Sequence, residues 1–197
     1  LLVKEYGMKL HYHGKYNQDP ASIPHGEHRP GAVPFREFQS AKSLAIAANL
    51  ASFFIVALLL VPAVFRTPFY GRGPQLILGF TTPLAALVPH ELLHALCFKG
   101  DVYFYTNLSQ GMLFVAGPED MSKSRFVFMS LLPNLVFGFV PYLLGMLFGV
   151  PFLLAFGALS AGMGAADYFN AFNALTQMPK GARTYLYQFN SFWYLPE

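Results

Sequence analysis

The sequence predicts an all-α membrane protein of about four transmembrane helices, with a small interfacial β-hairpin between spans two and three. Composition is the first observation behind this: of 197 residues, 54% are hydrophobic and 12% charged, where soluble domains carry about a quarter charged residues. The second is four apolar stretches, about 44–65, 75–98, 126–150 and 152–178, each long enough for a hydrocarbon core of about 30 Å. The third is a change of pattern at 99–125, where short β-prone runs replace the continuous apolar sequence.

Residues 1–43 are polar and turn-rich and read as a juxtamembrane arm. His11, His13, His25 and His28 give the arm two readings, ordinary solvated histidines or accessory metal binding. Phe35-Arg36-Glu37-Phe38 supplies the aromatic and basic residues that gather at a membrane interface. The core then occupies 44–178. Its first span ends at a Pro/Gly turn, Arg66 to Pro74. The second carries Pro83 and Pro89, which membrane helices tolerate when neighbours satisfy the freed carbonyls. In the next segment, Asp101 to Tyr105 and Met112 to Val115 form the expected hairpin, with Asn107 and Gly111 between them. Such a hairpin is either a plain connection or a strand edge that holds an extended peptide. Gly149-Val150-Pro151 turns the third span into the fourth, whose Gly157, Gly162 and Gly164 suit close helix contacts. The aromatic tail, 179–197, is expected along the interface.

With four spans, the arm, the 99–125 segment and the tail share one side and hold eleven of the thirteen Lys and Arg residues. Only Arg66 and Arg72 lie opposite. The positive-inside rule therefore predicts that both termini and the hairpin are cytoplasmic. One cysteine, Cys97, excludes an intrachain disulfide framework and a Cys-based zinc site. No basic tract interleaved with aromatics points to nucleic acid.

Polar chemistry is concentrated in one layer of the spans. His90-Glu91-Leu92-Leu93-His94 reads H-E-x-x-H. On a helix it puts two imidazoles on one face, where both can bind one zinc, and a carboxylate beside them that can act as a base. Glu91 and Asp167 are the two carboxylates within the spans, and an intramembrane carboxylate is costly unless paired, hydrated or metal-bound. His90, Asn134 and Asp167 all fall roughly 10–16 Å from the cytoplasmic ends of their helices, by the α-helical rise. A catalytic zinc takes three protein ligands and one open position. His90, His94 and Asp167 are the candidates, with Glu91 as general acid and base. Asn134 and Asn170 are candidates for orienting ligands or holding substrate backbone, or for interhelical hydrogen bonding alone.

These residues resemble the core of intramembrane zinc metalloproteases of the site-2 protease type. More closely, the chain is similar to the small multi-pass family described as "putative zincin peptidase". There the H-E-x-x-H, Ser130-Leu131-Leu132-Pro133-Asn134 and the Gly164-x-x-Asp167-x-x-Asn170 pattern recur in this order. The resemblance covers about 75–178 and implies His90, His94 and Asp167 as zinc ligands and Glu91 as the catalytic acid and base. It also implies a bacterial plasma membrane. Asp167-Tyr168 departs from the Asp-Gly usual in site-2 proteases, and there is no PDZ-like domain. The function expected is a zinc-dependent peptidase cleaving a membrane-protein or peptide substrate near the cytoplasmic leaflet. The rivals are an inactive zinc-binding homologue and a metal-ion or solute transporter. Oligomeric state is not legible.

Overall fold

The first span begins where Ser40 accepts a hydrogen bond from the Ser43 N–H at 3.1 Å, an N-cap that satisfies one of the orphan donors of a helix start. In this computed structural model, which describes residues 7–38, 40–67, 71–107 and 112–196, the helix α1 follows as Ala41–Arg66. Helix α2, Gly73–Ala95, runs unbroken through Pro83 and Pro89. The third span is a composite: α3 (Lys123–Pro133), a π-helical stretch (Asn134–Phe139) and α4 (Val140–Phe148). Helices α5 (Pro151–Met163) and α6 (Ala165–Gln177) follow, bent by 54° at Gly164. Among the described residues, three helices are long and apolar enough to cross a membrane, or four if the bent pair forms one span. This is an integral membrane protein.

The helical residues 38–90 and 130–170 form one compact unit. Its core joins Leu59, Leu60 and Ala63 of α1 to Tyr142 and Met146 of α4 and to Leu154 and Ala158 of α5. Between helices in lipid, close backbone approach replaces the hydrophobic effect as the source of attraction. Gly157 provides that approach: a Cβ there would stand 2.4 Å from the Tyr142 nitrogen. At Gly162 it would stand 2.5 Å from a methyl of Val56. Outward, Phe53, Phe54, Leu58, Leu143 and Leu147 are exposed, a surface suited to acyl chains rather than water.

Residues 1–37, 91–129 and 171–197 form the second unit, which holds the strands. The expected hairpin is present as β3 (Asp101–Asn107) and β4 (Met112–Ala116), paired antiparallel with Tyr103 opposite Ala116. Gly111 lies outside the described residues. The arm and the tail also contribute strands. Strand β1 (Lys9–Lys15) pairs parallel with β3, giving a sheet of order β1-β3-β4. A second sheet has the order β2-β7-β6-β5, from Val33–Pro34, Asn190–Tyr194, Arg183–Tyr187 and Met121–Ser122. The arm's histidines pack on tyrosines: His11 stacks on Tyr103 and bonds Asp101 at 2.7 Å, while His28 contacts Tyr185 and Tyr187. Residues 183–194 are rich in aromatics but lack a clean period-two alternation, and short runs of this kind are ambiguous without their partner strands.

A candidate metal centre on the second span

His90, Glu91 and His94 lie on the last turns of α2, one helical turn apart. Their donor atoms all stand within 4.8 Å of one another. Among the described residues this is the one group of three or more His, Cys, Asp or Glu side chains close enough to hold a metal ion. The arm's histidines make no such group with one another.

Asp167 reaches His90. Its Oδ2 lies 3.1 Å from His90 Nε2 and accepts a hydrogen bond from Asn134 Nδ2 at 2.9 Å. Three residues assigned to one depth by counting along separate helices are thus joined at a single oxygen. Local structure explains why a carboxylate is tolerated here. Gly164 ends α5 and Asp167 falls in the first turn of α6, where the unpaired N–H groups and the helix dipole favour negative charge. The break also leaves carbonyls of α5 without helical donors. Tyr168 hydroxyl donates to one of them, that of Ala161, at 3.0 Å. The Tyr168 side chain is therefore used to satisfy the bend.

Asn134 is almost fully buried, at 1% exposure, and is the first residue of the π-helical stretch. Such stretches recur at functional sites because they re-aim side chains within an otherwise regular helix. Its Nδ2 also donates to Ser130 carbonyl at 3.4 Å, and its Oδ1 is buried without a hydrogen-bond partner. The amide lies directly over Gly164: a Cβ at that position would be 1.7 Å from Asn134 Oδ1. Sequence reasoning marked Gly164 as a helix-contact residue but missed that its contact is the side chain binding Asp167. Asn170, one turn beyond Asp167 on α6, makes no hydrogen bond with this group.

His94 is buried, at 7% exposure, and its Nδ1 lies 2.9 Å from Met129 carbonyl. A carbonyl only accepts, so Nδ1 carries a proton, and whenever the ring is neutral its lone pair lies on Nε2. This is the second partner that metal-binding histidines commonly require. No side-chain pattern announced it, because the partner is backbone.

The donor set fits a zinc ion. Two ligands bonded to tetrahedral zinc at their usual lengths stand about 3.3 Å apart, close to the 3.1 Å between His90 Nε2 and Asp167 Oδ2. Nitrogen and carboxylate donors are those of catalytic zinc sites, and the H-E-x-x-H spacing is that of zincin metalloproteases.

The profile of a family described as "Putative zincin peptidase" matches residues 83–183, a stretch that begins just before the histidine pair and extends past Asp167. No curated protein and no solved structure matches the chain. The match takes in a little over half of the 197 residues and contains the whole histidine–glutamate motif, so the chain belongs to the "putative zincin peptidase" family of multi-pass membrane proteins.

Proposed function

We propose that the chain is a zinc-dependent peptidase that hydrolyses a peptide bond of a membrane-embedded or membrane-adjacent substrate near the cytoplasmic leaflet. The observation that carries this reading is an H-E-x-x-H on a membrane helix whose first histidine meets an intramembrane carboxylate at 3.1 Å. His90, His94 and Asp167 would hold the zinc. When bound, zinc supplies Lewis acidity to the scissile carbonyl and makes water a better nucleophile at neutral pH. The remaining work falls to this chain's residues. Glu91 takes the proton of the attacking water and delivers it to the departing amine. Asn134 holds Asp167 by the bond to Oδ2, which keeps that carboxylate facing His90. The motif order resembles that of site-2 proteases and supports a membrane-helix substrate. Such a helix must unwind first, since its carbonyls are otherwise engaged in its own hydrogen bonds. Strand β4 ends the order β1-β3-β4, and an unwound segment could add to it by main-chain hydrogen bonds. The charge asymmetry favours cytoplasmic termini, and the resemblance favours a bacterial plasma membrane.

The test is metal content and cleavage of a membrane-embedded reporter, measured on the same preparations. Glu91→Gln should retain zinc and lose cleavage by at least about 10²-fold. Asp167→Ala should lose both. Unchanged cleavage by the glutamine variant removes Glu91 from the chemistry, and full zinc retention by the alanine variant removes Asp167 from the ligand set.

A further inference from the structure

The carbonyl that holds His94 is one that the third span would ordinarily use itself. In an α-helix the carbonyl of residue i accepts from the N–H of residue i+4, so the regular partner of Met129 is residue 133. Helix α3 runs through that position with helical backbone angles, φ −63 and ψ −37. The residue there is Pro133, which has no N–H and whose ring presses against the carbonyl four residues before it. In place of that regular i+4 donor, His94 Nδ1 lies 2.9 Å from Met129 carbonyl. A non-proline at 133 would return an N–H to that same carbonyl and compete with the imidazole.

We propose that Pro133 is a positioning residue of the metal site: by withholding its N–H it reserves Met129 carbonyl for His94 and so directs the Nε2 lone pair of His94 to the metal. The proposal rests on the zinc reading above but concerns a different atom, the missing amide hydrogen. A purely structural role would also place a proline here, because Pro133 directly precedes the π-helical stretch Asn134–Phe139. The two roles separate when the ring and the N–H are changed independently. Pro133→Ala removes the ring and adds the N–H. Lactic acid at 133, introduced as an α-hydroxy acid, removes the ring and adds no N–H, because an ester oxygen takes the place of the amide. Pro141→Ala, in the same span, controls for proline removal in general.

Each full-length protein, labelled with nitrogen-15 in its histidines and stripped of metal, is examined by ring ¹H–¹⁵N spectra, with His94→Gln to assign the signal. Zinc affinity is then measured by competition with a chelator. Wild type should show His94 protonated at Nδ1. Pro133→Ala should mix the tautomers and weaken zinc binding by about 10–100-fold, the range for loss of a ligand's hydrogen-bond partner. The lactate variant should restore both readouts to near wild type, and Pro141→Ala should change neither. Equal loss in the alanine and lactate variants would overturn the proposal in favour of the ring, and so would a wild-type tautomer and affinity in Pro133→Ala. Failure of wild type to bind zinc would instead overturn the reading of the previous subsection. The tautomer comparison would still judge this one, and should Pro133→Ala not fold, the lactate variant against wild type carries it.

Discussion

Asp167 Oδ2 is the atom on which the residue-level account turns, because it serves His90 and Asn134 together. Asn134 can serve it only while nothing larger than hydrogen occupies residue 164, given the 1.7 Å that a Cβ there would leave. Gly164→Ala should therefore displace the Asn134 amide or open the bend. The expected result is a loss of zinc affinity of about 10–100-fold, as for other partners of metal ligands, with a lowered melting temperature. Gly157→Ala is the informative contrast: it should destabilise through backbone crowding at Tyr142, with zinc affinity little changed in the fraction that folds. Zinc titration and thermal unfolding in the same detergent distinguish the two. His90, Glu91 and His94 were legible in the sequence because their spacing is itself the geometry. Asp167 was legible because a carboxylate in lipid demands a reason. Gly164, Tyr168 and Met129 were not, since each acts through backbone: a missing Cβ, an orphan carbonyl at a bend, and a carbonyl released by a proline.

Helix ends show the same principle among the elements. Helix α6 stops at Gln177, and its last carbonyls need donors. Lys123 supplies them from the start of α3, donating from Nζ to Leu175 carbonyl at 3.0 Å and Met178 carbonyl at 2.7 Å. A cation also suits the negative end of the helix dipole. Lys123→Met keeps most of the apolar stem and removes both bonds, so it should cost about 1–2 kcal/mol, read as a lower midpoint in thermal or denaturant unfolding. An unchanged midpoint would show that water caps α6 equally well. The acidic pair that closes the β3–β4 segment is likewise engaged: Glu119 pairs with Arg125 and accepts the Lys99 N–H, and Asp120 accepts from Arg29 at 3.1 Å and Tyr194 hydroxyl at 2.6 Å. The spans could be read from apolar runs and the β3–β4 hairpin from short β-prone runs broken at turn residues. The arm and tail strands could not, because β1 and β2 find their partners about ninety and a hundred and sixty positions away. Local pattern carries no information on such pairing.

For the whole molecule, the distribution of Lys and Arg makes a topological prediction. In a Cys97→Ser background, an impermeant maleimide applied to intact cells should label Gln75→Cys, at the poorly charged end of α2. It should not label Tyr12→Cys, on the exposed face of β1; the opposite pattern would invert the orientation. The strand pairings also impose an order of assembly. Strand β1 cannot join β3 until α1 and α2 have been threaded between them, and β2 must wait for β7. At a synthesis rate of about 5–20 residues per second, β1 is made before its partner β3 and stays unpaired for several seconds, longer than a hairpin takes to form. Both arm strands are thus made well before the strands they dock on, β2 by the longer interval. An exposed arm strand during that interval is where a chaperone or a protease would meet this protein.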